Sequence, residues 1–158
     1  MIALCYCIAA TQGYFYYTFI KNTISTRFTL GKHERLKSRK LLEQLFKEGK
    51  SFFVHPIKVY YQPLPAEGTV SLQAAFGVSA RVFRKAVERN RIKRLLREAY
   101  RLQKSTLATA IANNNQKLAV FFLYVGKELP EFELIKEKME VILNRLALRP
   151  SDRPRAQD

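Results

Sequence analysis

Between Arg81 and Lys104 the chain reads RVFRKAVERNRIKRLLREAYRLQK, and its side chains suit electrostatic and stacking recognition of a polyanion. Ten of these residues are Lys or Arg against two acids, Glu88 and Glu98, a net +8 out of +15 for the whole chain. At helical spacing Ile92, Leu95, Leu96, Ala99, Leu102 and Gln103 gather on one face within roughly 120°. Asn90, Lys93, Arg94, Arg97, Arg101 and Lys104 gather on the opposite face, with Arg89 and Arg91 at the borders. One side can dock on a core while the other presents a ridge of fixed positive charge. Solvated helix faces usually mix signs at i,i+4 spacing, and this ridge has almost no acids to do so. Its guanidinium groups suit bidentate phosphate contacts and base stacking. Holding like charges together costs stability, so a polyanionic partner is the simplest reason to keep them.

No catalytic constellation accompanies the ridge. The chain has no Gly-rich phosphate loop, and its two histidines, His33 and His55, lie in separate segments. Glu88 and Glu98 are ten residues apart and read as N-terminal helix stabilisation and an i,i+4 partner for Arg94. A self-sufficient metal-dependent nuclease needs several converging carboxylates, and spacing brings none together here. Cys5 and Cys7 are separated by one residue, where a disulfide would be strained. With His33 and His55 they make a poor tetrahedral metal site. No catalytic residue and no protein-bound metal or cofactor is therefore assigned.

The elements that must position the ridge fit one α+β domain, since 158 residues with 47% hydrophobic content suffice for a modest core. Residues 1–26 form an N-terminal extension whose one charge is Lys21. Met1 to Ile20 is apolar, but Thr11, Gln12 and Gly13 interrupt it, and no basic region precedes it as a secretory signal requires. An over-extended start, a loosely ordered extension and a membrane anchor all remain open for it. The folded domain spans 27–148, and 149–158, with two prolines, is a flexible tail. Ser38 suits an N-cap, Leu41, Leu42, Leu45 and Phe46 a helical stripe, and Gly49 the C′ position.

Ile57 to Tyr61 alternates as a strand, with Ile57, Val59 and Tyr61 on one face and Lys58 and Tyr60 on the other. Val70 to Val78 alternates again, and with the turn residues of QPLPAEG the pair reads as an antiparallel hairpin. The basic helix follows, its pattern weakening after Lys104. Leu118 to Val125 is apolar without alternation, as a central strand covered on both faces would be. From Glu131 to Leu146 a last helix turns Leu134, Ile135, Met139, Ile142 and Leu146 inward. Its acids, Glu131, Glu133, Glu137 and Glu140, should keep it away from a polyanion. The order is α-β-β-β-α-β-α, with one strand before the basic helix not placed by spacing.

RNRIKRLLREAYR, from Arg89 to Arg101, resembles the signature helix of the bacterial ribonuclease P protein family. FGVSARVFRKAVE (Phe76 to Glu88) and ERLKSRKLLEQLFKEGKSF (Glu34 to Phe52) are similar to it as well, so the likeness runs from about Phe28 to Leu148. The resemblance implies an α–β sandwich with a left-handed β-α-β crossover, against the usual preference. It implies a protein subunit that binds a catalytic RNA and the 5′ leader of precursor tRNA. That RNA subunit carries out the Mg²⁺-dependent endonucleolytic maturation of tRNA 5′ ends. Carried over by motif, Arg89, Asn90, Arg91, Lys93, Arg94 and Arg97 face the catalytic RNA, extended by Arg81, Arg84, Lys85 and Arg101. Leu42, Phe46, Lys58 and Tyr60 fall in the leader cleft. Two positions depart from the family: Leu42, where relatives often carry Phe, and Ala80, commonly Lys, with Arg81 beside it.

Spacing alone leaves Phe46 open between core and cleft, because it is in phase with Leu42 and Leu45. Phe52 and Phe53 could line the cleft or cover the sheet edge. A ribosomal-type structured-RNA-binding protein would use the same ridge but would not need Lys58 and Tyr60 beside each other on an open face. A DNA reader lacks the helix and short turn that should precede its recognition helix. A membrane-surface role would need the apolar N-terminus and the ridge to act together. A basic domain without cysteines after Cys7 fits the reducing cytoplasm.

Overall fold

The computed structural model describes residues 29–65, 71–114 and 116–148, and the expectations for the N-terminal extension, its cysteines and the C-terminal tail fall outside these. Helix α1 spans Arg39–Lys47 and is capped as its sequence indicates: Ser38 Oγ accepts from the Leu41 amide at 3.4 Å. At its other end the Gly49 amide donates to the Leu45 carbonyl at 3.1 Å. A Cβ on Gly49 would collide with that same carbonyl oxygen, so no larger residue fits without a shift.

Four strands follow the order β1-β2-β4-β3 across the sheet. The unplaced strand is β1, Lys50–Val54, joined to β2, Ile57–Pro63, through His55 and a cis Pro56. The expected hairpin between Ile57–Tyr61 and the next strand does not form. Strand β4, Leu118–Tyr124, lies between them, antiparallel to β2 and parallel to β3, Leu72–Val78. The physical reason is burial: β4 is the most apolar strand and takes the centre, leaving β2 and β3 to flank it.

Helix α2 connects β3 to β4 and spans Ala86–Asn113, well past Lys104. Leu107 and Ile111 continue the buried stripe of Ile92, Leu96, Ala99 and Tyr100. Leu102, expected inward, is partly exposed. Helix α3, Phe132–Ala147, packs beside α2. It buries Ile135, Met139, Ile142, Leu143 and Leu146, whereas Leu134 points outward.

The main core lies between α2, α3 and one face of the sheet. Phe76 stacks on Phe122 with centroids 5.4 Å apart, and Tyr100 meets both rings at 5.5 Å. On the other face α1 covers only part of the sheet, with Leu45 and Leu36 packed over Ala119. The outer edge of β3 is covered by the chain before α1. The Leu36 amide donates to the Ala74 carbonyl at 3.0 Å, and the Ala74 amide to the Glu34 carbonyl at 2.8 Å.

Lys104 secures this edge rather than joining the ridge. Its side chain is only 15% exposed, and its ammonium lies 2.7 Å from Glu34 Oε2 and donates to the Thr29 carbonyl at 2.6 Å. Glu34 in turn accepts from the Gly31 amide at 3.0 Å. Glu34 and burial together push the Tyr100 phenol well above its ordinary value, burial being the larger cause.

Candidate nucleic-acid interface

The ridge is built by α2 and the loop leading into it. Arg81, Arg84 and Lys85 are exposed on that loop, and Asn90, Arg91, Arg94 and Arg97 are exposed along the helix. Arg89 has a different task. It donates to the carbonyls of Phe83 at 2.9 Å and Arg84 at 2.6 Å, so its guanidinium clasps the loop against the first turn. Phe83 is buried below, against Tyr124. The loop cations are therefore held on a fixed backbone. Lys93 is half-buried at the margin of the ridge.

Glu98 does not pair with Arg94. Arg101 Nε donates to Glu98 Oε2 at 3.0 Å, and this bond is the main reason that the carboxyl lies below its usual range. Positions i−4 and i+3 both lie beside Glu98 on the helix, and the structure takes the second. Arg91, Arg94 and Arg97 consequently have no carboxylate partner among the described residues, while Arg101 marks the neutralised end of the ridge. Glu88 lies 3.9 Å from Lys85, whose side chain is largely exposed, so that pair offsets little charge.

On the uncovered side of the sheet, strand parity gathers a second group. Tyr60 pairs with Phe121 of β4 in register, and Lys58 with Leu123. Phe46 comes down from α1 and meets Tyr60 and Phe121 edge-on, each with centroids 5.0 Å apart. It is 47% exposed, so it stands half-open on this face rather than filling a core. Leu42, one turn earlier, is half-buried against Leu36, Leu45 and Ala119. The Lys58 ammonium lies 5.0 Å from the centre of the Tyr60 ring. All four expected cleft residues thus belong to one face.

Phe121 was hidden in the unbroken apolar run of β4. Its signal is parity: Val120, Phe122 and Tyr124 face the main core, so Phe121 must face the other side. Gly77 makes room for it, since a Cβ there would come within 2.5 Å of the Phe121 ring. A larger residue there would have to push that ring aside.

The two groups share one end of the sheet. The row Lys58–Leu123–Gly77 is next to the last paired row, Ile57–Tyr124–Val78, after which the chain leaves β3 into the Arg81–Lys85 loop. Lys58 and Gly77 are therefore two strand spacings, about 10 Å, apart, and the Arg81–Lys85 loop begins four residues beyond Gly77. Among the described residues no three metal-ligating side chains converge, and the two ridge carboxylates already face cations. These residues do not fit a Mg²⁺ site, and no chemical step is assigned to one here.

Residues 30–147 match the sequence profile of the Ribonuclease P family. A ribonuclease P protein component from Porphyromonas gingivalis is 40% identical over 121 residues, covering 76% of this chain and 88% of the relative. One from Chlorobium phaeobacteroides is 33% identical over 130 residues, covering 76% and 89%. Among solved structures, the RNase P protein from Thermotoga maritima aligns with a TM-score of 0.56 at 26% identity, over 71% of this chain and 96% of that one. The Staphylococcus aureus RNase P protein shares the fold, with a TM-score of 0.56 at 20% identity over 71% and 94%. With a basic ridge, an open aromatic face and a profile match across the whole folded region, the chain belongs to the ribonuclease P protein family, the RNA-binding subunits of a tRNA-processing endoribonuclease.

Proposed function

We propose that the two surfaces divide the labour of the ribonucleoprotein. The ridge of Arg81, Arg84, Lys85, Asn90, Arg91, Lys93, Arg94, Arg97 and Arg101 binds the catalytic RNA, with Arg89 holding its loop in place. The cleft of Leu42, Phe46, Lys58 and Tyr60, with Phe121, takes the unpaired 5′ leader of precursor tRNA. The protein positions substrate, and the hydrolytic chemistry belongs to the RNA together with its Mg²⁺. Precursor tRNA is made in the cytoplasm, where this reading puts the complex. Among the described residues no helix is long and apolar enough to cross a membrane.

The observation that carries the cleft assignment is the pairing of Lys58 with Tyr60 on a half-open face. A cation over an exposed ring is worth about 0.5–1 kcal/mol, whereas a base stacked on an aromatic side chain contributes about 1–3 kcal/mol. An arriving base therefore displaces the ammonium from the ring, and Lys58 moves to the adjoining phosphate. Ribosomal-type binding would use the ridge and leave this pair idle.

The test is Tyr60→Ala in the reconstituted complex. Assembly with the catalytic RNA should be unchanged, and affinity for leader-bearing precursor should fall by about 1–3 kcal/mol. Mature tRNA binding should hardly move. Equal weakening of both substrates, or an unfolded variant, would assign Tyr60 to the fold instead.

A further inference from the structure

The open face does not end at Lys58. In β1, Phe52 and Phe53 point to opposite sides. Phe52 belongs to the core side, where its ring meets Tyr61 at 6.0 Å and the Arg145 guanidinium at 5.4 Å. Phe53 is turned to the same face as Lys58, its cross-strand partner, and is 52% exposed. An exposed aromatic on the outermost strand of a sheet has no packing role. Such positions ordinarily carry charge, because an apolar edge invites unwanted pairing. The ring is also held in place. His55, two residues on and exposed, meets it in a T-shaped contact with centroids 6.0 Å apart and planes at 84°, and about half of the Phe53 surface stays accessible.

We propose that Phe53, steadied by His55, is a second stacking platform for single-stranded RNA, one nucleotide further along the leader than Tyr60. This rests on the leader-cleft reading above and extends it past the cleft to the sheet edge. The geometry sets the order of contacts. Ser51 is the residue opposite Tyr60, and Phe53 lies one residue pair further along the same face of β1. The two ring-bearing positions are thus on neighbouring strands, offset by two residues, with Cα atoms about 7–8 Å apart. That suits consecutive unstacked nucleotides, and Lys58, directly opposite Phe53, lies where the phosphate between them passes. Stacking is tolerant of base identity because every base has a π-face, so the platform selects for leader length and single-strandedness rather than sequence.

The experiment is a leader-length series. Precursor tRNAs with leaders shortened one nucleotide at a time from the 5′ end are titrated against the reconstituted ribonucleoprotein, using wild type, Tyr60→Ala, Phe53→Ala, Phe53→Leu and Phe53→Tyr. Wild-type affinity should rise in two successive steps as the leader lengthens. Tyr60→Ala should lose the first step. Phe53→Ala and Phe53→Leu should keep the first and lose the second, a deficit of about 5- to 150-fold confined to the longer leaders. Phe53→Tyr should restore it. Thermal melts of the free variants show whether each folds, and the Leu variant keeps the apolar bulk while removing the flat face.

If the Phe53→Leu curve coincides with wild type at every length, or if its deficit extends to leaderless tRNA, the platform does not exist. If Tyr60→Ala loses the first step and no Phe53 variant loses the second, the cleft stands and the extension alone is refuted. If neither variant depends on leader length, both assignments fall.

Discussion

Replacing Arg91, Arg94 and Arg97 together by Ala should weaken binding to the catalytic RNA and flatten its dependence on salt. All three side chains are exposed, and none has a carboxylate partner among the described residues, because Glu98 is held by Arg101. Nothing among the described residues competes for their charge, so each is available to a phosphate. Each phosphate contact contributes about 0.7–0.9 to the slope of log affinity against log salt. Losing three should lower that slope by roughly 2. A fourfold rise in salt, from about 50 to 200 mM, would then shrink the variant's deficit roughly 16-fold. The fold should not suffer, since Ala is the best helix former and like charges are being removed. The assay is a set of anisotropy titrations with labelled catalytic RNA at four salt concentrations, with a thermal melt of the free protein alongside. The same deficit should appear whether or not the substrate carries a leader. Parallel salt lines for wild type and variant, or a lowered melting temperature that accounts for the lost binding, would refute the ridge assignment.

Three other outcomes follow from particular contacts. Lys104→Ala should do the reverse of the triple substitution. It removes the ion pair with Glu34 and the bond to the Thr29 carbonyl at the edge of β3 and should cost about 0.5–1.5 kcal/mol in urea unfolding, with the salt slope of RNA binding unmoved. A change in slope would return Lys104 to the ridge. The raised pKa of Tyr100 gives an alkaline signature. The unfolded phenol ionises near its ordinary value of about 10 while the native one stays neutral. Its stabilisation is therefore complete below about pH 10 and declines above it. Tyr100→Phe should flatten that decline in urea unfolding between about pH 9 and 11.5, and an identical decline in the variant would contradict it. Purified protein without RNA should leave labelled precursor tRNA intact in Mg²⁺, since among the described residues no carboxylate set or nucleophile–base pair converges on the ridge. Cleavage that survives mock purification would overturn this.

What could be read from the sequence is what is decided locally. The caps of α1, the two faces of β2 and the exposure of Asn90, Arg91, Arg94 and Arg97 depend on local sequence alone, and each stands where that sequence put it. Tyr60 is the clearest case: alternation with Ile57, Val59 and Tyr61 is enough to turn it outward beside Lys58. Strand pairing is not local. β2 and β3 look like a hairpin in sequence, but the more apolar β4 arrives later in the chain and separates them.

The same distinction explains the charges. On a helical wheel Lys104 belongs with the ridge, and only its contact with Glu34, 70 residues earlier, removes it. Glu98 had two equivalent neighbours by period, and the packed structure chose between them. Phe121 was concealed for a related reason. An apolar run without alternation indicates burial on both faces, yet α1 covers only half of one, so the ring is left to complete the cleft. In each case the displaced residue fixes where charge or aromatic surface remains exposed. With Lys104 at the edge of β3 and Arg101 neutralised, the unpaired cations concentrate from Arg81 to Arg97. That is the stretch beginning at the end of the sheet where Lys58 lies. That the basic loop and the open aromatic face both lie toward this end of the sheet is therefore a product of tertiary pairing, and on the proposed reading it would let one small domain hold two RNA segments at once.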